Sequence, residues 1–194
     1  MTKTILTVIG APGAGKGTQA PLLEGRFNIP HFSTGDYLRE SLKKGTDLGL
    51  QAKTYMDQGL LVPDTVMVGM ISEKLADSPY GIILDGFPRN VPQAEFLDDI
   101  LGSQDEEIQN AIYYHIPDEV AISRIKGRAE ALIKEGMTPR KDDLDENTIR
   151  KRLEVYHKDT DPVINHYARQ GKLLQIDALQ SVEDIFKYTV KHLE

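Results

Sequence analysis

A glycine-rich stretch near the amino terminus carries the residues with the clearest chemical purpose. It reads Gly-Ala-Pro-Gly-Ala-Gly-Lys-Gly-Thr over residues 10–18, between an apolar run and a helical pattern. Glycines let backbone N–H groups close around phosphate oxygens, where a Cβ atom would collide or forbid the required dihedral angles. The following helix start adds partial positive charge, and Lys16 adds a full charge that can bridge the outer phosphates of a nucleotide. The stretch is therefore predicted to be a phosphate-binding loop.

This loop departs from the commonest pattern at one position. Gly17 follows the lysine where Ser or Thr is usual, and Thr18 stands one place later. We therefore expect the Thr18 hydroxyl not to contact a metal ion directly. The alternative is a glycine-rich turn with a surface lysine, but strand, spacing, lysine and threonine together favour the phosphate loop. The loop predicts nucleotide binding and does not choose among kinases, switches and motors.

Two polar segments follow other predicted strands. One reads Phe-Ser-Thr-Gly-Asp-Tyr-Leu-Arg over residues 32–39, and the other reads Asp-Gly-Phe-Pro-Arg over residues 85–89, with Gln93 four residues later. Open α/β sheets bind ligands at the carboxyl ends of their parallel strands, so both segments are expected at the site. Asp85 ends an apolar strand, and an acidic group beside a phosphate site usually orients Mg²⁺ or its waters. The alternative for Asp85 is a turn aspartate that ends the strand.

Arginines are concentrated in the last half of the chain. Arg124 and Arg128 are spaced i, i+4 on a predicted helix and share one face, where their mutual repulsion indicates an anionic partner. Arg140 follows, and then Arg150 and Arg152, which lie about 200° apart around a helix and cannot both face one site. The alternative is an exposed, ion-paired helical face.

The elements that must position these residues alternate in type. Short apolar runs alternate with longer helical patterns, which is typical of a parallel sheet with helices on its faces. Strands are predicted over residues 4–10, 30–33, 82–85, 111–116 and 172–176. Helices are predicted over residues 16–25, 36–42, 48–58, 64–75, from 118 or 119 onward, 147–169 and 181–193. We expect a break or bend near Pro162, and N-caps at Asp64 and Ser181.

Composition limits the class of protein. The chain has 194 residues, 40% of them hydrophobic, and a formal net charge of −7, which fits one domain and argues against a broad nucleic-acid or acidic-membrane surface. There is no cysteine, so disulfides and thiolate metal sites are excluded, and the five histidines have no recognisable metal spacing. The apolar run at residues 5–9 is too short for a signal or membrane segment, so we expect a cytoplasmic protein.

Taken together, the motifs resemble those of the adenylate kinases, within the nucleoside monophosphate kinase family, from about Thr4 to the end of the chain. The resemblance implies an α/β fold of the three-layer P-loop NTPase type, with a five-stranded parallel sheet flanked by helices in a single kinase domain over residues 1–194. It implies a small AMP-binding insert at 33–62 and a short lid at 125–152. The implied activity is reversible transfer of the γ-phosphoryl group of Mg·ATP to AMP, giving two ADP, with a role in adenine nucleotide homeostasis.

The resemblance also assigns residues to two nucleotide sites. The implied ATP site consists of Gly13, Ala14, Gly15, Lys16, Gly17, Thr18, Arg124, Arg128 and Gln180. The implied AMP site consists of Thr34, Arg39, Met56, Leu60, Leu61, Val62, Gly86, Phe87, Pro88, Arg89, Gln93, Arg140 and Arg152. The implied catalytic groups are Lys16, Arg89, Arg124, Arg128, Arg140 and Arg152, and Asp85 would orient Mg²⁺ through water.

Two residues of the implied AMP site bear on the choice of base. In the related uridylate–cytidylate kinases an alanine typically replaces Thr34 and an asparagine replaces Gln93, so both residues favour AMP here. The rivals are a kinase for UMP, CMP or GMP, and a nucleotide-dependent switch or binding module without a small phosphoryl acceptor. Such a switch would need the phosphate loop but not Arg39, Arg89 and Gln93.

The lid implied by the resemblance is short and has no zinc. Residues 129–139 are somewhat longer than the loop of the shortest members, and one extra residue stands between Asp143 and Thr148. Without cysteines there can be no four-cysteine zinc lid. The implied cofactor is Mg²⁺, and the implied partners are ATP, AMP and ADP, with a monomer that binds neither nucleic acid nor membrane.

Overall fold

A five-stranded parallel sheet forms the centre of the molecule, in a computed structural model that describes residues 3–194. The strands are β1 (Thr4–Ile9), β2 (His31–Ser33), β3 (Gly81–Asp85), β4 (Asn110–His115) and β5 (Leu173–Asp177). Their order in the sheet is β2-β3-β1-β4-β5, and every neighbouring pair is parallel. All five predicted strands are confirmed, and four of them contain a short apolar run, whereas β2 has the sequence His-Phe-Ser.

Nine α-helices connect these strands within the described residues. They are α1 (Lys16–Phe27), α2 (Thr34–Lys43), α3 (Asp47–Asp57), α4 (Asp64–Ala76), α5 (Val91–Gly102), α6 (Asp118–Lys134), α7 (Glu146–Val155), α8 (Asp161–Arg169) and α9 (Val182–Leu193). The sequence patterns gave no bounds for α5, which starts after Asn90, whose Oδ1 accepts a hydrogen bond from the Gln93 N–H at 2.8 Å.

One of the two predicted N-caps is confirmed and the other is wrong. Ser181 caps α9, and its Oγ accepts from the Asp184 N–H at 3.1 Å. Asp64 is instead the first residue of α4, and Pro63 occupies the cap position without a side-chain hydrogen bond. The reason is that the Asp64 carboxylate is engaged elsewhere, as an acceptor for Asn90 and Gln93.

The predicted break near Pro162 is confirmed as a change in helix type. Helix α7 passes into one π-helical turn over Tyr156–Thr160, and α8 follows from Asp161. The Asp161 N–H bonds to the Tyr156 carbonyl, one residue further back than in an α-helix. Because proline has no N–H, Pro162 fits at the start of α8 and would not fit in the interior of a continuous helix.

Two apolar clusters cover the two faces of the sheet. Along β1, Ile5 and Ile9 belong to one cluster while Leu6 and Val8 belong to the other, as the two-residue period of a strand requires. The first cluster includes buried residues of α4, α5 and α8, and the second includes buried residues of α1, α6 and α9. This arrangement confirms the three-layer α/β class and places every strand's carboxyl end along one edge of the sheet.

The remaining segments lie over that edge. Helices α2 and α3 pack on each other, and α3 meets the single 3₁₀ turn at Lys141–Asp143 that precedes α7. Asp57 of α3 accepts from Lys141 Nζ at 2.7 Å, and Asp36 of α2 accepts from Arg140 at 3.1 Å. The segments predicted as insert and lid therefore touch each other across the edge of the sheet. Among residues 3–194, no helix combines the length and the apolar character needed to cross a membrane.

Candidate active site

A cavity of about 720 Å³ opens at the carboxyl ends of the strands. Its walls come from the loops after β1, β2 and β3, from α2–α4, and from the segments around α6, α7 and α9. All of the residues assigned from the resemblance line this cavity except Phe87. Phe87 is fully buried in the core, and its carbonyl oxygen accepts from the Thr7 hydroxyl at 2.7 Å. Its side chain therefore supports the loop from behind.

The phosphate loop connects β1 to α1. Gly13 has a φ of +87°, and a Cβ atom there would lie 2.8 Å from the Ala121 carbonyl oxygen, so the loop can pass close to α6 only as glycine. Lys16 begins α1, and its Nζ donates to the carbonyl oxygens of Gly10 at 2.6 Å and Ala11 at 3.0 Å. The ammonium thus lies inside the loop, at the amino-terminal end of a helix, where a phosphate group would be attracted.

The surroundings of Lys16 change its pKa. Burial lowers its pKa to about 8, because the charged form is poorly solvated inside the cavity. The negative charge of Asp85 acts in the opposite direction, and the charges of Arg89 and Arg152 lower the pKa further. Without a ligand, the negative charge of Asp85 therefore does not compensate for the burial of the ammonium.

The loop after β3 lies opposite the phosphate loop. Arg89 Nε donates to the Gly86 carbonyl at 2.7 Å, and the Thr34 hydroxyl donates to the carbonyls of Gly86 at 3.0 Å and Asp85 at 3.2 Å. Gly86 has a φ of +79°, and a Cβ atom there would lie 2.6 Å from Arg89 and 2.7 Å from Thr34. A residue other than glycine would push both side chains out of position.

Gln93 is held by a network that sequence patterns do not show. Its Oε1 accepts from the Arg89 backbone N–H at 2.7 Å, and its Nε2 donates to Asp64 at 2.5 Å. Asn90 also donates to Asp64, at 3.0 Å. A fourth hydrogen bond comes from the Thr160 hydroxyl, which donates to the Arg89 carbonyl at 2.8 Å. Nothing in the local sequence indicated Asp64 or Thr160, because both contacts join distant segments.

Six of the nine arginines line this one cavity. They are Arg39, Arg89, Arg124, Arg128, Arg140 and Arg152. Burial lowers the pKa of both Arg89 and Arg140, and the positive charge of Arg39 lowers each further. In a chain with a net charge of −7, this cavity is a local concentration of positive charge that suits a polyanionic ligand.

Three aspartates partly compensate the arginines. The fully buried Asp143 carboxylate bonds to Arg128 at 2.6 Å and to Arg152 at 2.8 Å, and Asp142 contacts Arg152 at 3.0 Å. Asp36 bonds to Arg39 at 2.6 Å. Burial favours the neutral acid, but Arg39, the charge of Arg140 and the Ser33 hydrogen bond together outweigh burial and lower the pKa of Asp36. The only sequence cue was proximity, since Asp142 and Asp143 follow Arg140 closely and Asp36 precedes Arg39 by one helical turn.

Arg124, Arg128 and Gln180 lie where α6 and α9 approach the phosphate loop. Arg124 donates to the Ala178 carbonyl at 2.9 Å, just before Gln180, and Gln19 of α1 donates to the Val182 carbonyl at 2.9 Å. These bonds join the segment after β5 to α6 and to α1, the helix that follows the phosphate loop.

Asp85 ends β3 at the bottom of the cavity. Its carboxylate is largely buried, and His31 Nε2 lies 3.5 Å from its Oδ2, beyond a good hydrogen bond. A buried carboxylate beside a phosphate loop is the hard oxygen donor that Mg²⁺ and its waters prefer, so the residue fits that ion. Over residues 3–194, no three His, Asp or Glu side chains converge as a metal-binding group, and the absence of zinc stays a prediction.

The three-layer parallel sheet, the glycine-rich loop with its lysine and the arginine-lined cavity define a P-loop protein of the phosphoryl-transfer class. Residues 8–172 match the family model described as adenylate kinase. The chain belongs to the adenylate kinase family.

Individual relatives are similar in sequence to this chain over nearly its full length. An adenylate kinase of Leptospira biflexa is 46% identical over 190 aligned positions, covering 97% of this chain and 98% of the relative. Adenylate kinases of Corynebacterium urealyticum and Lachnospira eligens are 44% and 42% identical, and each alignment covers 97% of this chain.

Proposed function

We propose that this chain catalyses reversible transfer of the γ-phosphoryl group of Mg·ATP to AMP, giving two ADP, and so maintains the balance of adenine nucleotides. The observation that carries the proposal is the gathering of Lys16 and six arginines around one cavity, between the phosphate loop and the loop after β3. Such a cavity can neutralise two nucleotides placed end to end. Membership of the adenylate kinase family supports the same reaction.

The donor half of the cavity consists of the phosphate loop and α6. Backbone N–H groups from Gly13 to Thr18 would surround the β- and γ-phosphates, with Lys16 bridging the outer ones. Arg124 and Arg128 would cover the phosphates from the lid side, and Arg128 and the backbone near Gln180 would border the adenine. The cavity position of all these residues supports the assignment.

The acceptor half lies between α2 and the loop after β3. Arg39 and Arg89 would hold the AMP phosphate, since planar guanidinium groups bind phosphate oxygens in pairs. Thr34, Gln93 and the backbone of residues 60–62 would contact the adenine, and Met56 would pack on it. Gly86 and Pro88 complete the wall, with Phe87 supporting it from the core.

The chemistry requires charge cancellation and alignment. An AMP phosphate oxygen attacks the γ-phosphorus in line, and no general base is needed because the nucleophile is already an anion. Two like charges at 4 Å repel by about 4 kcal/mol at an effective dielectric near 20, against about 1 kcal/mol in water. Lys16 and the arginines offset this repulsion and fix the line of attack, with Arg140 and Arg152 reaching the transferring group from the lid.

Mg²⁺ is the proposed cofactor. When bound with ATP it would supply further positive charge at the phosphate groups. Asp85 would hold its waters, and Thr18, displaced by one place from the usual position, would not be a direct ligand. Nothing in the chemistry calls for zinc.

Two segments are proposed to move during turnover. Residues 33–62 act as the AMP-binding insert and residues 125–152 as the lid, and both fold over their ligands to exclude water. The ion pairs between Asp57 and Lys141 and between Asp36 and Arg140 support this closure, because they join the two segments directly. Reopening is then the step that limits turnover.

The proposed setting is a cytoplasmic monomer whose partners are ATP, AMP and ADP. A net charge of −7 supports the absence of nucleic-acid and acidic-membrane partners, since the positive charge is concentrated in the cavity.

An acceptor panel tests the proposal. With Mg·ATP as donor, AMP should give ADP at a kcat/KM well above those for UMP, CMP and GMP. The Arg89→Ala variant should lose on the order of 10³-fold or more in kcat/KM with AMP, because Arg89 holds the attacking AMP phosphate beside the transferring phosphoryl group. A loss under about tenfold would contradict the role of Arg89. Tight ATP binding without AMP-dependent ADP formation would favour a nucleotide switch instead.

A further inference from the structure

The side-chain amide of Gln93 has only one orientation that satisfies its neighbours. Its oxygen faces the Arg89 backbone N–H and its nitrogen faces the Asp64 carboxylate. A backbone N–H can only donate and a carboxylate can only accept, so both contacts select the same orientation. Gln93 is 2% exposed and lines the acceptor half of the cavity.

Asp64 is the side chain that makes this selection. It stands at the start of α4, outside the cavity wall, and accepts from Asn90 Nδ2 as well as from Gln93 Nε2. The orientation of Asn90 is selected in turn, because its Oδ1 accepts from the Gln93 backbone N–H at 2.8 Å. Asp64 thus accepts from two amide N–H₂ groups and leaves neither free to rotate without losing a charge-assisted hydrogen bond.

The orientation decides which base edge can pair with Gln93. After its two contacts, the amide retains one N–H and one free lone pair on its oxygen. Adenine offers an N6 amino donor beside an N1 acceptor, which match that pair. A 6-oxopurine such as the base of IMP offers an O6 acceptor beside an N1–H donor, and it would match only the rotated amide. Thr34 agrees with this polarity, because its hydroxyl hydrogen already points to backbone carbonyls.

We propose that Asp64 is a positioning residue that sets the base specificity of the acceptor site. By holding the Gln93 amide in one orientation, it makes the site select an adenine monophosphate over a 6-oxopurine monophosphate. The inference rests on the proposed function and names the group that enforces one part of its specificity.

The Asp64→Asn variant tests the proposal. A carboxamide keeps the size of the side chain but offers both a donor and an acceptor, so position 64 no longer opposes the rotated Gln93 amide and only the Arg89 backbone N–H still does. With Mg·ATP, the ratio of kcat/KM for AMP to that for IMP should fall by about tenfold or more, mainly through KM for the acceptor, while KM for Mg·ATP stays unchanged. Asp77→Asn is the matched control, since Asp77 follows the other end of α4 and is exposed.

Several outcomes overturn the proposal. An unchanged AMP-to-IMP ratio in Asp64→Asn does so, and so does an equal loss with both acceptors, which would mark a structural role. The wild-type protein provides a test free of folding defects with purine riboside 5′-monophosphate, which keeps the N1 acceptor and lacks the amino group. It should be used about tenfold better than IMP, and equal use overturns the proposal. Failure of the wild type to form ADP from AMP would instead refute the proposed function.

Discussion

At the residue scale, Lys16 shows how the cavity prepares a charge for a ligand. Its ammonium has two backbone carbonyls as partners and is surrounded by arginines, and burial lowers its pKa to about 8. Between this pKa and the ordinary value of 10.5, the unfolded chain binds more protons than the folded chain. The contribution of Lys16 to the free energy of unfolding therefore rises with pH between about 8 and 10.5. Below pH 8 the buried charge of Lys16 destabilises the folded protein.

Binding of Mg·ATP should reverse this shift. Phosphate oxygens beside Lys16 favour the charged form, so binding at pH 8 should take up about half a proton, and binding at about pH 6.5 should take up almost none through this group. Isothermal titration calorimetry in buffers of different ionisation enthalpy measures the uptake. Lys16→Arg is the matched variant, because a guanidinium stays charged throughout this range. Equal proton uptake by both proteins at pH 8 would show that Lys16 is not the titrating group.

Whether a residue of the site could be predicted depends on how close in sequence its partners lie. The phosphate loop, Arg89 and Gln93 could be predicted because their motifs are local and follow predicted strands. Asp64 and Thr160 could not, because each acts on a segment distant in sequence, with Asp64 29 residues from Gln93 and Thr160 71 residues from Arg89. An aspartate at a helix start is ordinarily a cap, and only the packed structure shows that Asp64 has another partner.

At the element scale, the turn after α3 lies against α7, which joins the proposed insert to the proposed lid. Gly59 follows α3 with a φ of +71°, and a Cβ atom there would lie 2.8 Å from Arg152 Cγ and 3.2 Å from the Thr148 carbonyl. The aliphatic part of the Arg152 side chain therefore packs directly against the backbone of Gly59. The pattern of strands and helices was predictable from apolar periods and glycine or polar ends, but this approach of two helices depends on tertiary packing.

Gly59→Ala should damage this junction in a way that a second glycine controls. Gly171 has the same φ of +71°, and a Cβ atom placed there would have no neighbouring atom within 4 Å, so Gly171→Ala isolates the backbone strain. Both variants should lose about 1–2 kcal/mol in the free energy of unfolding, measured in urea. Only Gly59→Ala should also lose about tenfold or more in kcat/KM, because the methyl group displaces Arg152. Equal kcat/KM values in the two variants would show that the position of Arg152 does not affect the reaction.

At the scale of the whole molecule, an acidic chain concentrates its arginines in one place. The sheet makes this possible, because the loops after its parallel strands lie at one edge, and the segment proposed as the lid adds further arginines there. Sequence spacing predicted that Arg150 and Arg152 point apart. Arg150 is 61% exposed and pairs with Glu146, whereas Arg152 is 16% exposed and pairs with Asp142 and Asp143.

These neighbouring arginines give a matched test of the cavity's charge. Inorganic tripolyphosphate at about 100 times its Kd should stabilise the wild type by about 2.7 kcal/mol, which corresponds to a rise in Tm of about 5–10 °C that shrinks as salt is added. Arg150→Gln should keep this rise and full turnover. Arg152→Gln should reduce the rise by about half or more and lower kcat on the order of 10³-fold, because the anion and the transferring phosphoryl group both lose a guanidinium contact.

The ligand-induced shift, measured by differential scanning fluorimetry, is the deciding quantity, since breaking the Asp143 pair also changes the Tm of the free protein. Equal shifts in the two variants would mean that Arg152 does not face the bound anion.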